Sequence, residues 1–286
     1  MPILTNSNGT LYLVSTPIGN LEDITLRAIQ TLKNVDLIVC EDTRVTGFLL
    51  KHYGIEKKLI SYNNFNEGKK TNSIITDLLS GKNIALVSDA GTPLIADPGY
   101  ILVQTCQENN IKVVPIPGAC SLIVALSISG FPTNNFVFLG FLDKSSKKRK
   151  DLFTTYKPFE TTIVCFETPH RIKDTLEDIL EVFGENVQVA IARELTKIYE
   201  EVKKLPILDL IKFYENNKPL GEMVVLIRNI PSYEIAHDHL EGLIKQHVET
   251  MAESGIKTTE AAKQIAKKYK LDKNEVYKLI IEAQGK

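Results

Sequence analysis

Four apolar residues, Ile84 to Val87, run directly into Ser88-Asp89, and Gly91, Pro93, Pro98 and Gly99 crowd the positions that follow. A short apolar run of this kind reads as a buried strand. Glycine and proline packed closely behind it describe a stiff loop with dictated backbone angles. Parallel sheets take their ligands outside the carboxyl ends of their strands, which puts Asp89 at a strand tip facing a crevice. The plain alternative is that Asp89 caps a turn through its own backbone. Turn chemistry alone does not separate the two.

The chain up to Ile116 repeats strand then helix. Strands are expected over Thr10–Ser15, Val35–Cys40, Leu59–Tyr62, Ile84–Val87 and Lys112–Ile116. Between them fall a helix capped by Asp23 with Leu26, Ile29 and Leu32 on one face, and another from Thr46 to His52, closed at Gly54. Two more carry Ile74, Ile75, Leu78 and Leu79, and span Gly99 to Glu108. That alternation predicts a mostly parallel, right-handed α/β sheet. Pro115-Ile116-Pro117-Gly118 reads as a hinge into a second α/β set. It begins with a buried helix over Ala119–Ile128 and continues with strands Phe136–Phe141, Thr161–Phe166, Val187–Ala192 and Gly221–Arg228. Lys144–Lys150 is expected to be a basic loop entering a short helix, and Ile172, Leu176, Ile179, Leu180 and Phe183 mark an amphipathic one. Asn229–His239 has linker composition. Beyond it Ala261, Ala262, Ile265 and Ala266, then Val276, Leu279 and Ile280 behind a capping box at Asp272–Glu275, predict two short helices resembling a helix-turn-helix. The expected units are therefore residues 1–116, 117–230 and 240–286.

Composition narrows the function classes. The net charge of −1 supplies no global basic field, so any nucleic-acid surface must be a local patch. The longest apolar stretch, Ala119–Phe131, is broken by Ser121, Ser127, Ser129 and Gly130 and is too short for the ~18 residues of a membrane span. No basic region precedes an apolar run at the N-terminus, where the first cation is Arg27. Cys40, Cys106, Cys120 and Cys165 are widely spaced and read as buried thiols of a reducing compartment rather than metal ligands or disulfides, hence a cytoplasmic protein. No Gly-x-Gly-x-x-Gly opens the first helix and no Walker loop occurs, which disfavours nicotinamide and nucleotide-hydrolysing folds. His237-x-His239 reads as solvated loop rather than a metal site, and no metal is expected.

Asp89-Ala90-Gly91-Thr92-Pro93 followed by Ala96-Asp97-Pro98-Gly99 resembles the Asp-x-Gly-x-Pro loop of the tetrapyrrole methylase superfamily. Further segments match in order: Val14–Asn20 (VSTPIGN), Cys40–Arg44 (CEDTR) and Pro115–Ala119 (PIPGA), then Glu167–Arg171 (ETPHR), Ala192–Lys197 (ARELTK) and Lys218–Glu222 (KPLGE). The last three are similar to the branch that methylates a ribose 2′-hydroxyl of small-subunit ribosomal RNA. Two departures stand out. Cys120-Ser121 replaces an expected Ser-Ala, and Tyr62–Glu67 (YNNFNE) lacks the histidine usual in that loop.

The resemblance implies two α/β domains with S-adenosylmethionine in the cleft between them and a small helical C-terminal appendage. It implies cofactor contacts from Pro17, Gly19, Asp89, Gly91, Thr92, Pro93, Ala96, Asp97, Gly118, Ala119, Ser121, Phe166, Leu195 and Gly221. It further implies methyl transfer to a decoding-region cytidine of 16S rRNA, and a homodimer. RNA contacts are expected from Arg44, Lys147, Lys148, Arg149, His170, Arg171 and Arg193. A ribose hydroxyl needs a proton acceptor. Glu41, Asp42, Glu67, Glu167, His170 and Glu194 are candidates by position, with Glu167 and Glu194 favoured at strand tips. The rivals are a tetrapyrrole carbon methyltransferase, and a non-catalytic RNA-binding assembly factor that kept the fold.

Overall fold

The computed structural model describes residues 8–217, 220–232, 239, 242–247, 256–269 and 271–284. Strands β1 (Thr10–Val14), β2 (Leu37–Cys40), β3 (Leu59–Ser61), β4 (Ile84–Val87) and β5 (Lys112–Ile116) form a sheet ordered β3-β2-β4-β1-β5 with every pairing parallel. Every residue of β2 and β4 is buried. Such uniformly apolar strands require cover on both faces. Helices α1 (Leu26–Asn34) and α2 (Thr43–His52) supply it on one side through Ala28, Leu32 and Leu50. On the other side α3 (Glu67–Leu79) and α4 (Tyr100–Glu108) bring Ile74, Leu78, Leu102 and Cys106. Thr25, not Asp23, caps α1, because its side chain reaches the Ala28 amide while Asp23 lies in a preceding 3-10 turn.

The second sheet is built differently. It contains β6 (Phe136–Phe141), β7 (Thr161–Glu167), β8 (Gln188–Arg193), β9 (Glu201–Pro206) and β10 (Met223–Asn229), ordered β6-β7-β10-β8-β9. Only β6 and β7 run parallel; the other three pairings are antiparallel. Helix α5 (Ser121–Ile128) covers one face. Helices α6 (Ser146–Tyr156), α7 (Ile172–Phe183) and α8 (Ile207–Asn216) cover the other around Phe153, Ile172, Leu176 and Tyr214.

Strand β9 and helix α8 were not expected from sequence. The Glu-Val-Lys-Lys-Leu-Pro run of β9 carries charge at three of its six positions, Glu201, Lys203 and Lys204. As an edge strand paired only to β8, it needs little burial to form.

The basic segment also differs from expectation. Lys147–Lys150 lies inside the first turns of α6 rather than in a loop, in keeping with the good helix propensity of lysine and arginine. That places Arg149 inward. Its side chain is 2% exposed, its Nε lies 2.6 Å from Asp178 Oδ2, and its Nη1 donates to the carbonyls of Asp143 and Lys144. Ser146 donates to the other Asp178 oxygen at 2.6 Å. Arg149 is therefore a clamp between α6 and α7, and is corrected from RNA contact to structural ion pair.

Residues 258–269 and 273–284 form the two tail helices, packed through Ala262, Ile265, Val276 and Ile280. Asp272 caps the second, accepting from the Asn274 and Glu275 amides. The expected linker falls largely on residues 233–238, outside the described residues. Among the described residues, no helix is long and apolar enough to cross a membrane.

The Arg149–Asp178 clamp has a measurable signature. Arg149→Ala strands a buried carboxylate and should cost about 3–5 kcal/mol in denaturant unfolding, whereas Arg149→Met with Asp178→Leu should recover most of that. Equal losses in the single and double variants would show that the pair is not the source.

Candidate functional site

Strand register aligns the tips of the first sheet. Cys40 pairs with both Ser61 and Val87, and Val14 with Ile116. The loops leaving these tips are tied together. Thr16 and Gly91 exchange backbone hydrogen bonds of 2.9 and 3.1 Å. The Thr92 hydroxyl lies 3.1 Å from that of Ser15 and donates to the Ala119 carbonyl at 3.0 Å. Asp89 accepts the Asp42 amide at 3.0 Å, joining the β4 tip to the β2 tip. Asp89 thus faces a crevice, and the backbone amide it accepts belongs to the neighbouring β2 tip rather than to its own turn.

That crevice is a cavity of about 280 Å³ between the two sheets. The first unit contributes Glu41, Asp89, Gly91, Thr92, Ala96 and Asp97, and α5 begins in the wall at Cys120 and Ser121. The second unit contributes Phe166 and Glu167 from β7, Glu194, Leu195 and Lys197 from the turn after β8, and Glu222 to Val224 around the start of β10. The walls divide by character. Phe141 and Phe166 meet edge to face at 5.3 Å and join Ile18, Ile95, Leu195 and Met223 in an apolar part. Six carboxylates against one lysine make the rest strongly acidic.

Backbone strain gathers at the same place. Of five non-glycine residues with positive φ among the described residues, four flank the cavity: Leu94 (73°), Ala96 (67°), Glu194 (51°) and Thr196 (64°). Each such residue costs on the order of 1–3 kcal/mol, and strain of this kind concentrates where a site dictates backbone shape. Close approach explains two glycines. A Cβ on Gly221 would lie 2.1 Å from Glu194 Oε1. One on Gly19 would lie 2.7 Å from the Leu195 carbonyl oxygen, where the first unit's turn meets the second unit's loop. The Asn20 amide seals that contact by donating to the Thr196 hydroxyl at 3.0 Å.

The acids are not equivalent. Glu167 is 1% exposed and fully engaged: Oε1 accepts the Thr168 amide and pairs with Arg171 at 2.9 Å, and Oε2 accepts the Thr175 hydroxyl at 2.7 Å. Glu194 pairs with Lys197 at 3.0 Å. Burial, reinforced by Asp89 and Asp42, holds the Glu41 carboxyl above its ordinary range. Asp97 is pushed up to about 6, first by burial, then by the charges of Glu41, Asp89 and Glu222, against a hydrogen bond from Ser88.

Of the expected cofactor residues, Asp89, Gly91, Thr92, Ala96, Asp97, Ser121, Phe166 and Leu195 line this cavity. Pro17 and Gly19 line a smaller neighbouring one of about 220 Å³, which shares Ile18, Asp89 and Ala90 with it. Pro93, Gly118, Ala119 and Gly221 shape the loops behind the walls. Lys197 and Glu222, within the ARELTK and KPLGE motifs, and Phe141, at the end of an expected strand, also line the cavity, and nothing in their local sequence marks them as site residues.

The expected RNA cations divide as well. Arg44, Lys147, Lys148 and His170 are exposed. Arg171 is held by Glu167 and the Leu142 carbonyl, and Arg193 pairs with Glu201 at 2.6 Å. Among the described residues no cluster of histidine, cysteine or acidic side chains is placed to hold a metal ion.

Comparison with known proteins fits this geometry. Residues 10–211 match the family model described as tetrapyrrole (corrin/porphyrin) methylases. The chain is 44% identical over 284 residues to "Ribosomal RNA small subunit methyltransferase I" of Escherichia coli O157:H7, covering 98% of this chain and 97% of that protein. It is 42% identical to the protein of the same name from Synechocystis, covering 97% and 99%. Among solved structures, diphthine synthase aligns with a TM-score of 0.62 at 14% identity, covering 80% of this chain and 95% of that one. Uroporphyrin-III-C-methyltransferase of Thermus thermophilus aligns with a TM-score of 0.55 at 20% identity, covering 76% and 94%. These last two share the fold.

The raised Asp97 carboxyl gives a sign that can be checked. The folded chain binds this proton more tightly than the unfolded chain, so the stability it contributes is present below its ordinary value of 3.8 and is lost as pH rises through about 6. Asp97→Asn should therefore raise the melting temperature of the cofactor-free protein at neutral pH by a few degrees, and the gain should vanish in acid. A neutral-pH melting temperature equal to the parent's would show that the carboxylate carries no such penalty.

Proposed function

The chain belongs to the tetrapyrrole methylase family, and on that premise we propose that it transfers a methyl group from S-adenosylmethionine to a ribose 2′-hydroxyl of small-subunit ribosomal RNA. The observation that carries the choice of acceptor is identity above 40% along nearly the whole chain to proteins named for that RNA. Likeness to the tetrapyrrole enzyme is confined to the fold.

The cavity fits the cofactor on its own terms. Its aromatic and aliphatic part suits a purine ring, and its surplus of carboxylates suits the cationic sulfonium and ammonium groups. S-adenosylmethionine supplies a methyl group already activated on positive sulfur, so the protein's task is alignment and proton removal. Tied loops at the β1, β4 and β5 tips hold one wall rigid. The Glu194–Lys197 turn forms part of the opposite wall. Glu167 has no free oxygen and instead holds Arg171. Asp97, Glu41 and Asp89 are raised by burial, Asp97 to about 6, and with Glu194 they are the cavity's proton acceptors. Lys147, Lys148 and Arg44 offer cations to the phosphate backbone.

Tritiated S-adenosylmethionine offered with unmethylated small subunits and, separately, with uroporphyrinogen tests the acceptor. Label should appear in the RNA and not in the tetrapyrrole. Label in the tetrapyrrole alone would overturn the reading.

A further inference from the structure

Phe65 is 98% exposed, and no large apolar side chain among the described residues is more so. A lone exposed apolar residue is ordinary; the setting of this one is not. Its turn is built from reciprocal bonds. Asn63 Oδ1 accepts the Phe65 amide at 3.1 Å, Asn66 Oδ1 accepts the Asn63 amide at 3.0 Å, and the Asn63 carbonyl accepts the amides of Asn66 and Glu67. Lys70 Nζ anchors the start of the turn on the Ser61 carbonyl at 2.6 Å. The backbone is pinned while the ring stands in solvent.

Register fixes where the ring stands. Ser61 pairs with Cys40, so the Phe65 turn leaves the sheet beside Glu41-Asp42-Thr43-Arg44, and the Ser61 hydroxyl donates to the Glu41 carbonyl at 3.3 Å. Glu41 itself lines the cleft. On the same tip Arg44 is presented to solvent with its side chain 89% exposed, yet its guanidinium is steered by Asp42 through Nε at 3.1 Å and Nη2 at 2.6 Å. A held aromatic-bearing turn and a held cation thus follow adjacent strand tips, at the end of the sheet whose Glu41 lines the acidic cavity. Single-stranded RNA is gripped by that combination, with bases stacked on aromatic faces and phosphates met by cations.

We propose that Phe65 is a stacking platform for an unpaired nucleobase of the ribosomal RNA beside the nucleotide being methylated, with Arg44 meeting the adjoining phosphate. This rests on the ribosomal RNA reading above and adds to it a specificity residue. Pinning the turn before binding reduces the ordering cost that an exposed flexible loop would incur.

The chain contains no tryptophan, so Phe65→Trp introduces a single indole at the proposed contact. Its emission should be quenched when a protein-free 16S rRNA transcript is added. Phe65→Ala should raise KM for small subunits by roughly tenfold or more, the range of one lost base–aromatic stack. Its melting temperature and its affinity for S-adenosylmethionine should match the parent's. Phe65→Leu should fail like Phe65→Ala, because it keeps apolar bulk without a flat face. Unchanged indole emission with saturating transcript, or an unchanged KM for Phe65→Ala, overturns the platform while leaving the methyltransferase reading intact. Full rescue by Phe65→Leu also overturns it, pointing instead to an apolar contact with protein. A parent enzyme that transfers no methyl to subunits overturns both.

Discussion

Six carboxylates converge on one cavity with a single lysine among them, and the structure has to hold that charge in place against its own repulsion. It does so by unequal treatment. Glu167 is neutralised by Arg171 and by two further donors; Glu194 is paired with Lys197; Asp89 is engaged by the Asp42 amide. Asp97, Glu41 and, despite that amide, Asp89 are left raised by burial, the residual cost of a site shaped for a cation. The backbone strain at Leu94, Ala96, Glu194 and Thr196 belongs to the same cost, since those residues set the loops that bring the acids together.

Each sheet contributes what its topology allows. The parallel sheet aligns five strand ends at one edge, and short side-chain and backbone bonds lace their loops into a rigid rim. The mixed sheet contributes a wall: the end of β7, the turn after β8 and the start of β10 lie side by side because β10 is antiparallel to both neighbours. Met223 is thereby in register with both Glu167 and Arg193. Neither sheet encloses the cavity alone. The seam between them is sealed where Gly19 and Asn20 meet the Leu195–Lys197 loop.

Much of this was legible in the chain. The β4 run and the loop behind it specify a buried strand and a fixed turn through residue chemistry alone, and both stand where expected. Motif order then pointed to the family. Strand direction in the second sheet was not legible, because alternation and apolar runs carry no sign for parallel or antiparallel pairing. Edge strand β9 was missed because half-exposed pairing tolerates lysines that mimic a loop. Arg149 was misassigned for a related reason: a cation in a basic run reads as solvated unless its buried partner, Asp178, is known, and that partner lies on another helix. The engagement of Glu167 depends on Thr175 and Arg171 converging in space, which local spacing does not reveal.

The most direct test of a cofactor cleft shared by both sheets is backbone hydrogen exchange measured with and without S-adenosylmethionine. The account predicts slowed exchange at residues 89–97 and 118–121 of the first unit together with 194–197 and 221–224 of the second. Protection confined to one unit, or absent from all four segments while the cofactor is bound, would contradict it.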